Sequence, residues 1–200
     1  MSSYYKTKIF FPMMNRSIGD PQTSKLRQKV LAQASGRILE IGFGTGLNLP
    51  YYPDTVSYIV AIDPTHISFE TLPGQPAVEY MQMASEALSF QDGSFETVVC
   101  TFTLCSVKNV QKTLAEIKRV LKPGGQFIFL EHGKSWVKPL VWLQTLANPF
   151  YTLLACGCHV NRDIPGELRQ SGLQVNSILP IRIKKQVISG YYYLGAAVKR

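Results

Sequence analysis

The sequence predicts an α/β protein built on an open, mostly parallel sheet, and three observations carry that prediction. Short apolar runs, each closed by glycine, aspartate or proline, recur between residues 36 and 132. A helical stretch with Val110, Leu114, Ile117 and Leu121 on one face separates two of those runs, and strands interleaved with helices form parallel sheets through right-handed crossovers. The tail then gives two strand-like runs, near 173–183 and 190–199, with little between them, which predicts an antiparallel pair.

Residues 1–20 mix aromatic and basic side chains ("YYKTKIFFPMMNR") ahead of a Gly-Asp-Pro turn. "SKLRQKVLAQAS" (24–35) reads as a helix with Leu26, Val30 and Leu31 on one face. Strands follow at "GRILEI" (36–41), "SYIVAID" (57–63), "VEYMQM" (78–83) and "ETVVCTFT" (96–103), the last introduced by the turn "QDGSF". The helix over 109–121 stops at Lys122-Pro123-Gly124-Gly125, which cannot continue it. "QFIFLEH" (126–132) is the fifth strand. In the uncharged run that follows, Pro149 is expected to divide two short helices.

Two hundred residues suit one domain with a core of its own. Charged residues make up 17% of the chain, below the roughly 25% of ordinary domains, so the chain is not disordered and has apolar surface to place. Four cysteines and the lack of a secretory signal suggest a reducing, cytoplasmic setting. No apolar run reaches the length of about 18 residues that a spanning helix needs. The nearest, Pro139 to Asn161, contains Gln144, Thr145, Asn148, Pro149 and Gly157. The net charge of +8 is unevenly spread: residues 38–107 hold eight carboxylates and no Lys or Arg.

That acidic block contains "EIGFGTG" (40–46), with three glycines at alternate positions after a strand. In an open α/β sheet the ligand sits off the carboxyl ends of the strands, so the glycine loop, Asp63, Thr101–Leu104 and Glu131–His132 should converge on one cleft. Asp63 follows Gly42 by 21 residues, where a carboxylate can accept both hydroxyls of a ribose. A dinucleotide site wants Gly or Ala where Leu47 stands, and Glu40 would repel a pyrophosphate. A sulfonium and an ammonium suit this edge better, which favours S-adenosylmethionine.

The stretches "ILEIGFGTG", "VAIDP", "EALSFQDGSFETVV", "TLCSV" and "IKRVLKPGGQFIFLEH" resemble, in order and spacing, the motifs of class I S-adenosylmethionine-dependent methyltransferases. The likeness is to the branch of quinone-biosynthesis C-methyltransferases and bacterial phospholipid N-methyltransferases. With "LCSV", "EH" and "GCHVNRDIP", it extends to a subfamily of small methyltransferases whose animal relatives are membrane-associated thiol methyltransferases. The resemblance implies a Rossmann-like seven-stranded sheet with helices on both faces and an antiparallel last strand. The expected organisation is a single methyltransferase domain over 1–200: a helical cap (1–35), a cofactor-binding core (36–132), a helical lid (133–172) and the C-terminal antiparallel strand pair (173–200). By position, Gly42, Gly44 and Gly46 would pass beneath the methionine part of the cofactor, with Glu40 supporting the loop. Asp63 would take the ribose and Pro64 lie beside the adenine. Ser85 and Glu86 would flank the adenine edge, and Thr101 to Leu104 line the sulfonium side. Many relatives have aspartate where this chain has Ala84, which leaves the adenine amino group to Ser85, Glu86 or backbone.

Methyl transfer is an in-line displacement that asks mainly for alignment and exclusion of water, and for a base only if the acceptor must lose a proton. His132, beside Glu131, is the candidate base, with a structural role as its alternative. His159 is a second candidate. Arg162 could hold an anionic acceptor or pair with Asp163. Cys105, Cys156 and Cys158 could gather three sulfurs for zinc or arsenic, but the spacing lacks a zinc module's paired form, and small buried thiols with no metal are the expectation. Aromatic and basic residues near the N-terminus, and the apolar run with Trp142, Leu146 and Phe150, point to a small-molecule or lipid acceptor (a thiol, amine or quinone-like group) and to peripheral membrane contact. The other functions kept open are a nucleic-acid methyltransferase and a cofactor-binding protein without catalysis; no recognisable nucleic-acid module supports the former.

Overall fold

A computed structural model describes residues 3–200, with the side chains of Ser3, Lys6 and Thr7 outside the description. The first two residues of the cap, and the side chain of Lys6 in its basic stretch, therefore lie outside the description.

Strand β1 (Ile38–Ile41) is buried along its whole length, as expected of a central parallel strand covered on both faces. It pairs in parallel with β2 (Tyr58–Asp63) and β4 (Phe95–Thr101). Strand β3 (Ala77–Gln82) extends the sheet beyond β2, and β5 (Leu121–His132) beyond β4. Strand β7 (Tyr191–Val198) runs antiparallel to both β5 and β6 (Gln174–Arg182). The order is β3-β2-β1-β4-β5-β7-β6, seven strands with only β7 reversed. Between β1 and β4 the chain changes direction across the sheet, which opens a crevice at their carboxyl ends.

Apolar side chains alternate between two cores. One face of the sheet, with Leu39, Ile41, Val98 and Phe129, packs against Leu114 and Ile117 of α4 (Val110–Val120) and Leu168 of α6 (Ile164–Gln170). The opposite face, with Ile38, Ile59, Val99 and Ile128, packs against Val30 and Leu31 of α3 (Pro21–Leu31). Asp20 opens α3: its carboxylate accepts from the amides of Gln22 and Thr23, and Pro21 fills the first turn. The Gly-Asp-Pro turn is thus a helix start, placing the helix three residues ahead of the expected one. The β1–β2 connection contains only a 3₁₀ turn, Leu49–Tyr51, with Pro50 in its first turn and Pro53 just beyond its end.

Two expectations need correction. The fifth strand does not wait for Gln126: the helix stops at Val120, and β5 begins at once at Leu121, its pairing with β4 shifting register between Phe95 and Thr97. Nor does Pro149 divide two helices. It sits inside a continuous α5 (Lys138–Leu154). The proline removes one hydrogen bond, and the carbonyl losing its donor belongs to exposed Thr145, where water can serve it. The N-terminal cap consists of α1 (Ser3–Tyr5), a π-helical turn (Lys6–Phe10) and α2 (Phe11–Ile18). Among the described residues no helix is long and apolar enough to cross a membrane.

Candidate active site

A cavity of about 700 Å³ lies over the carboxyl ends of β1, β2, β4 and β5. The glycine loop forms one wall. Gly42 and Gly44 both have positive φ, 75° and 56°, and they differ in what surrounds them. A Cβ on Gly42 would collide with the Thr103 side chain, whereas among the described residues one on Gly44 would have nothing within 4 Å. Gly42 is small because protein fills the space; Gly44 leaves bare backbone facing the cavity. Gly46 does not line the cavity and packs against Leu49 and Phe43.

Asp63, at the end of β2, accepts from the amides of Gly44 (3.1 Å) and Thr65 (2.8 Å), so it holds the glycine loop while bordering the cavity. Pro64, Ser85, Glu86 and Thr101 line the same space. Ser85 bonds the Thr113 hydroxyl at 3.0 Å, and Glu86 accepts from the amides of Lys108 and Asn109, so both anchor the start of α4.

Beneath the loop is a buried polar network that the sequence reading missed. Arg27 of α3 donates to Asn48 Oδ1 (2.6 Å) and Thr101 Oγ1 (3.0 Å). Asn48 Nδ2 donates to Glu40 Oε1 (2.9 Å), and the Tyr52 hydroxyl to Glu40 Oε2 (2.7 Å). Burial, only partly opposed by these bonds and by Arg27, pushes the Glu40 carboxyl up to about 7. The seventy-residue acidic block is therefore not unopposed; a guanidinium enters it from α3. The signal was present: Arg27, Val30 and Leu31 share one helical face.

On the opposite wall, Glu131 accepts from the amides of Thr103 (2.8 Å), Leu104 (2.9 Å) and Cys105 (3.3 Å). Arg162 donates to the carbonyls of Leu104 and Val107. Leu104 is buried in the core, and neither Arg162 nor His159 lines the cavity. Arg162 holds the 103–107 loop, and Asp163 caps α6 by accepting from Gly166. His159 Nδ1 lies 3.1 Å from Asn148 Nδ2.

Residues 39–129 match a family described as "Methyltransferase domain". Over 181 residues the chain is 32% identical to human thiol S-methyltransferase TMT1B, covering 80% of this chain and 70% of that protein. The chain belongs to the S-adenosylmethionine-dependent methyltransferases. This methyltransferase is also 35% identical over 104 residues to the phosphatidylethanolamine N-methyltransferase of Cereibacter sphaeroides, covering 48% of this chain and 51% of that one. The solved structure of the YcgJ protein from Bacillus subtilis shares its fold, with a TM-score of 0.62 and 19% identity over 93% of this chain and 99% of that one.

S-adenosylmethionine is the cofactor of this methyltransferase, and the residues present fit it. The bare backbone at Gly44 admits close approach, and Asp63 stands at the strand end where a ribose is bound. Three further lining residues form a cluster. Cys105, His132 and Cys158 are all buried, and their ligating atoms lie within 4.8 Å of one another. Cys158 Sγ is 3.0 Å from His132 Nε2. Burial alone would raise the Cys105 thiol, but hydrogen bonding from Cys158 and the charge of His132 outweigh it and hold the thiol well below its usual range. Cys158 is correspondingly pushed up by its bond to Cys105 and by burial. Cys156 stays outside the cluster, and His132 takes the third place that the sequence reading had given to a cysteine.

Proposed function

We propose that this methyltransferase alkylates the sulfur of a small apolar thiol that reaches the cleft from a lipid surface. The observation that carries the reading is the relation to a thiol S-methyltransferase over 70% of that protein's length. The walls of the cavity support it. Phe10, Phe11, Met13 and Met14 from the cap, with Phe102 and Val107, give the acceptor side an apolar, water-excluding lining.

The bound cofactor supplies a methyl group already activated on a sulfonium. The protein's task is then alignment, with the acceptor lone pair held about 3 Å from the methyl carbon. In this reading Gly42 and Gly44 carry the methionine part, Asp63 the ribose, and Pro64, Ser85 and Glu86 the adenine side. Glu40 and Arg27 keep the loop in place. A free thiol ionises near pH 8.5, so positioning matters more here than a strong base.

The lipid surface is suggested by α5. Its buried residue is polar: Gln144 donates to the carbonyls of Gly133, Val160 and Ile188 and accepts from the Ser135 amide. Its outward face carries Trp142, Leu146 and Phe150, each about 70% exposed (74%, 71% and 69%). Exposed Lys134 and Lys138 lie at its start, a pattern that fits an interface with anionic lipid. Incubation with methyl-labelled donor and a panel of thiols, phosphatidylethanolamine and quinols tests the reading. Label recovered as a thioether is expected; label on the lipid amine or the quinol instead overturns it.

A further inference from the structure

We infer that Cys105, His132 and Cys158 form a zinc site whose fourth position opens to the cofactor cleft and takes the acceptor's sulfur. The inference deepens the thiol reading and rests on it.

The site is built from three separate segments that backbone bonds tie together. Cys105 lies on the loop after β4, its amide held by Glu131. His132 ends β5 directly after Glu131. Cys158 follows α5 through a tight turn in which Cys156 and Gly157 take φ of 51° and 97°, a costly conformation for a cysteine that persists only where the surroundings fix it. The next amide, His159, donates to the Cys105 carbonyl at 2.8 Å. So the backbones carrying both thiols are locked to each other, and Arg162 holds the Cys105 loop from its carbonyl side. Among the described residues His132 Nδ1 has no hydrogen-bond partner, which leaves the ring's polar anchorage on the sulfur side. A buried imidazole held only by two thiols is a group whose partner calls for explanation.

Two thiolates and one imidazole suit zinc, which is borderline-soft, without redox chemistry, and tetrahedral. Zinc bond lengths of about 2.0–2.3 Å place tetrahedral donors about 3.6–3.8 Å apart. Donor atoms already within 4.8 Å reach that spacing by small side-chain rotations. Three protein ligands leave one vertex, and all three residues line the cleft. The two thiolates balance the ion's charge, so the nearby Arg162 guanidinium does not oppose it. When the ion binds, Cys105 and Cys158 coordinate as thiolates and His132 as the neutral imidazole, and the protons the three groups carry beyond those states pass to solvent. An incoming thiol then displaces a water from the vertex, a zinc–sulfur bond forms, and its proton also passes to solvent. No electron is transferred.

The test uses the full chain with zinc alone, then cobalt as a spectroscopic stand-in. After dialysis against zinc and removal of excess, elemental analysis should find about one ion per chain. Cys105→Ser and Cys158→Ser should each weaken zinc binding by more than about tenfold, while Cys156→Ser retains it. S-adenosylhomocysteine calorimetry on each variant reports whether it is folded. The cobalt form should show tetrahedral visible bands and a thiolate charge-transfer band that shifts when 2-mercaptoethanol is added. Zinc-free protein that is folded and still methylates thiols overturns the metal site and leaves the proposed function standing. Zinc bound equally by wild type and both Ser variants also overturns it. A bound ion whose spectrum ignores added thiol overturns the acceptor role. Zinc bound as expected, with label going only to an amine, refutes the thiol reading instead.

Discussion

Asp63 has two duties, and its substitution should reveal both. Its carboxylate accepts from the Gly44 and Thr65 amides while bordering the cavity. Asp63→Ala should weaken S-adenosylhomocysteine binding by more than about 1.4 kcal/mol, or tenfold, read by calorimetry. Asp63→Asn, which keeps an acceptor for the loop, should lose less. Glu40 gives a pH signature. Its carboxyl is raised from 4.5 to about 7, chiefly by burial, against bonds from Tyr52 and Asn48 and the charge of Arg27. Because the folded state holds the proton more tightly, this stability is fully present below about pH 4.5 and is lost as pH rises through about 7. The loss is roughly 3 kcal/mol. Glu40→Gln should therefore flatten the fall in melting temperature across that window. An unchanged profile in the variant would show that another group titrates there. Asp63 and the alternate glycines were legible in the sequence because strand ends and turns are written locally. The partners of Glu40 were not, because Arg27, Asn48 and Thr101 meet only when α3 docks on the sheet.

The glycine loop separates folding from binding within one short element. Gly42→Ala puts a methyl group into Thr103 and fixes an unfavourable φ, so it should lower the melting temperature sharply. Gly44→Ala meets no neighbour, so its stability cost should be only about 1–2 kcal/mol from the left-handed backbone. Its methyl group faces the cavity, and the larger loss should appear in cofactor affinity. Thermal melts beside calorimetry check the pair; equal effects on both measurements would contradict the assignment. The strands were readable from apolar runs, and helix α4 from its stripe. Two elements were misread for definable reasons. The Lys122–Gly125 segment carries loop-forming residues but is drawn into β5 by pairing with β4. Pro149 carries a helix breaker, but the turns on either side of it and the docking of Gln144 hold α5 together.

Across the whole molecule, the sheet and the side of it on which ligands gather are legible in the sequence, but the orientation of α5 is not. An apolar run is ordinarily read as core, and here much of it faces outward around a buried glutamine. Replacing Leu146 and Phe150 together by aspartate should leave the unfolding free energy within about 1 kcal/mol of wild type, as for exposed positions generally. The same change should abolish sedimentation with anionic vesicles. Retained sedimentation would remove α5 from the contact.

Glu131 grips the 103–107 segment by its amides and Arg162 by its carbonyls. A segment pinned from both sides behaves as a fixed floor. Whatever breathing lets reactants come and go must then fall to the roof, where the N-terminal helices meet α5 through the Tyr5 hydroxyl and the Leu154 carbonyl.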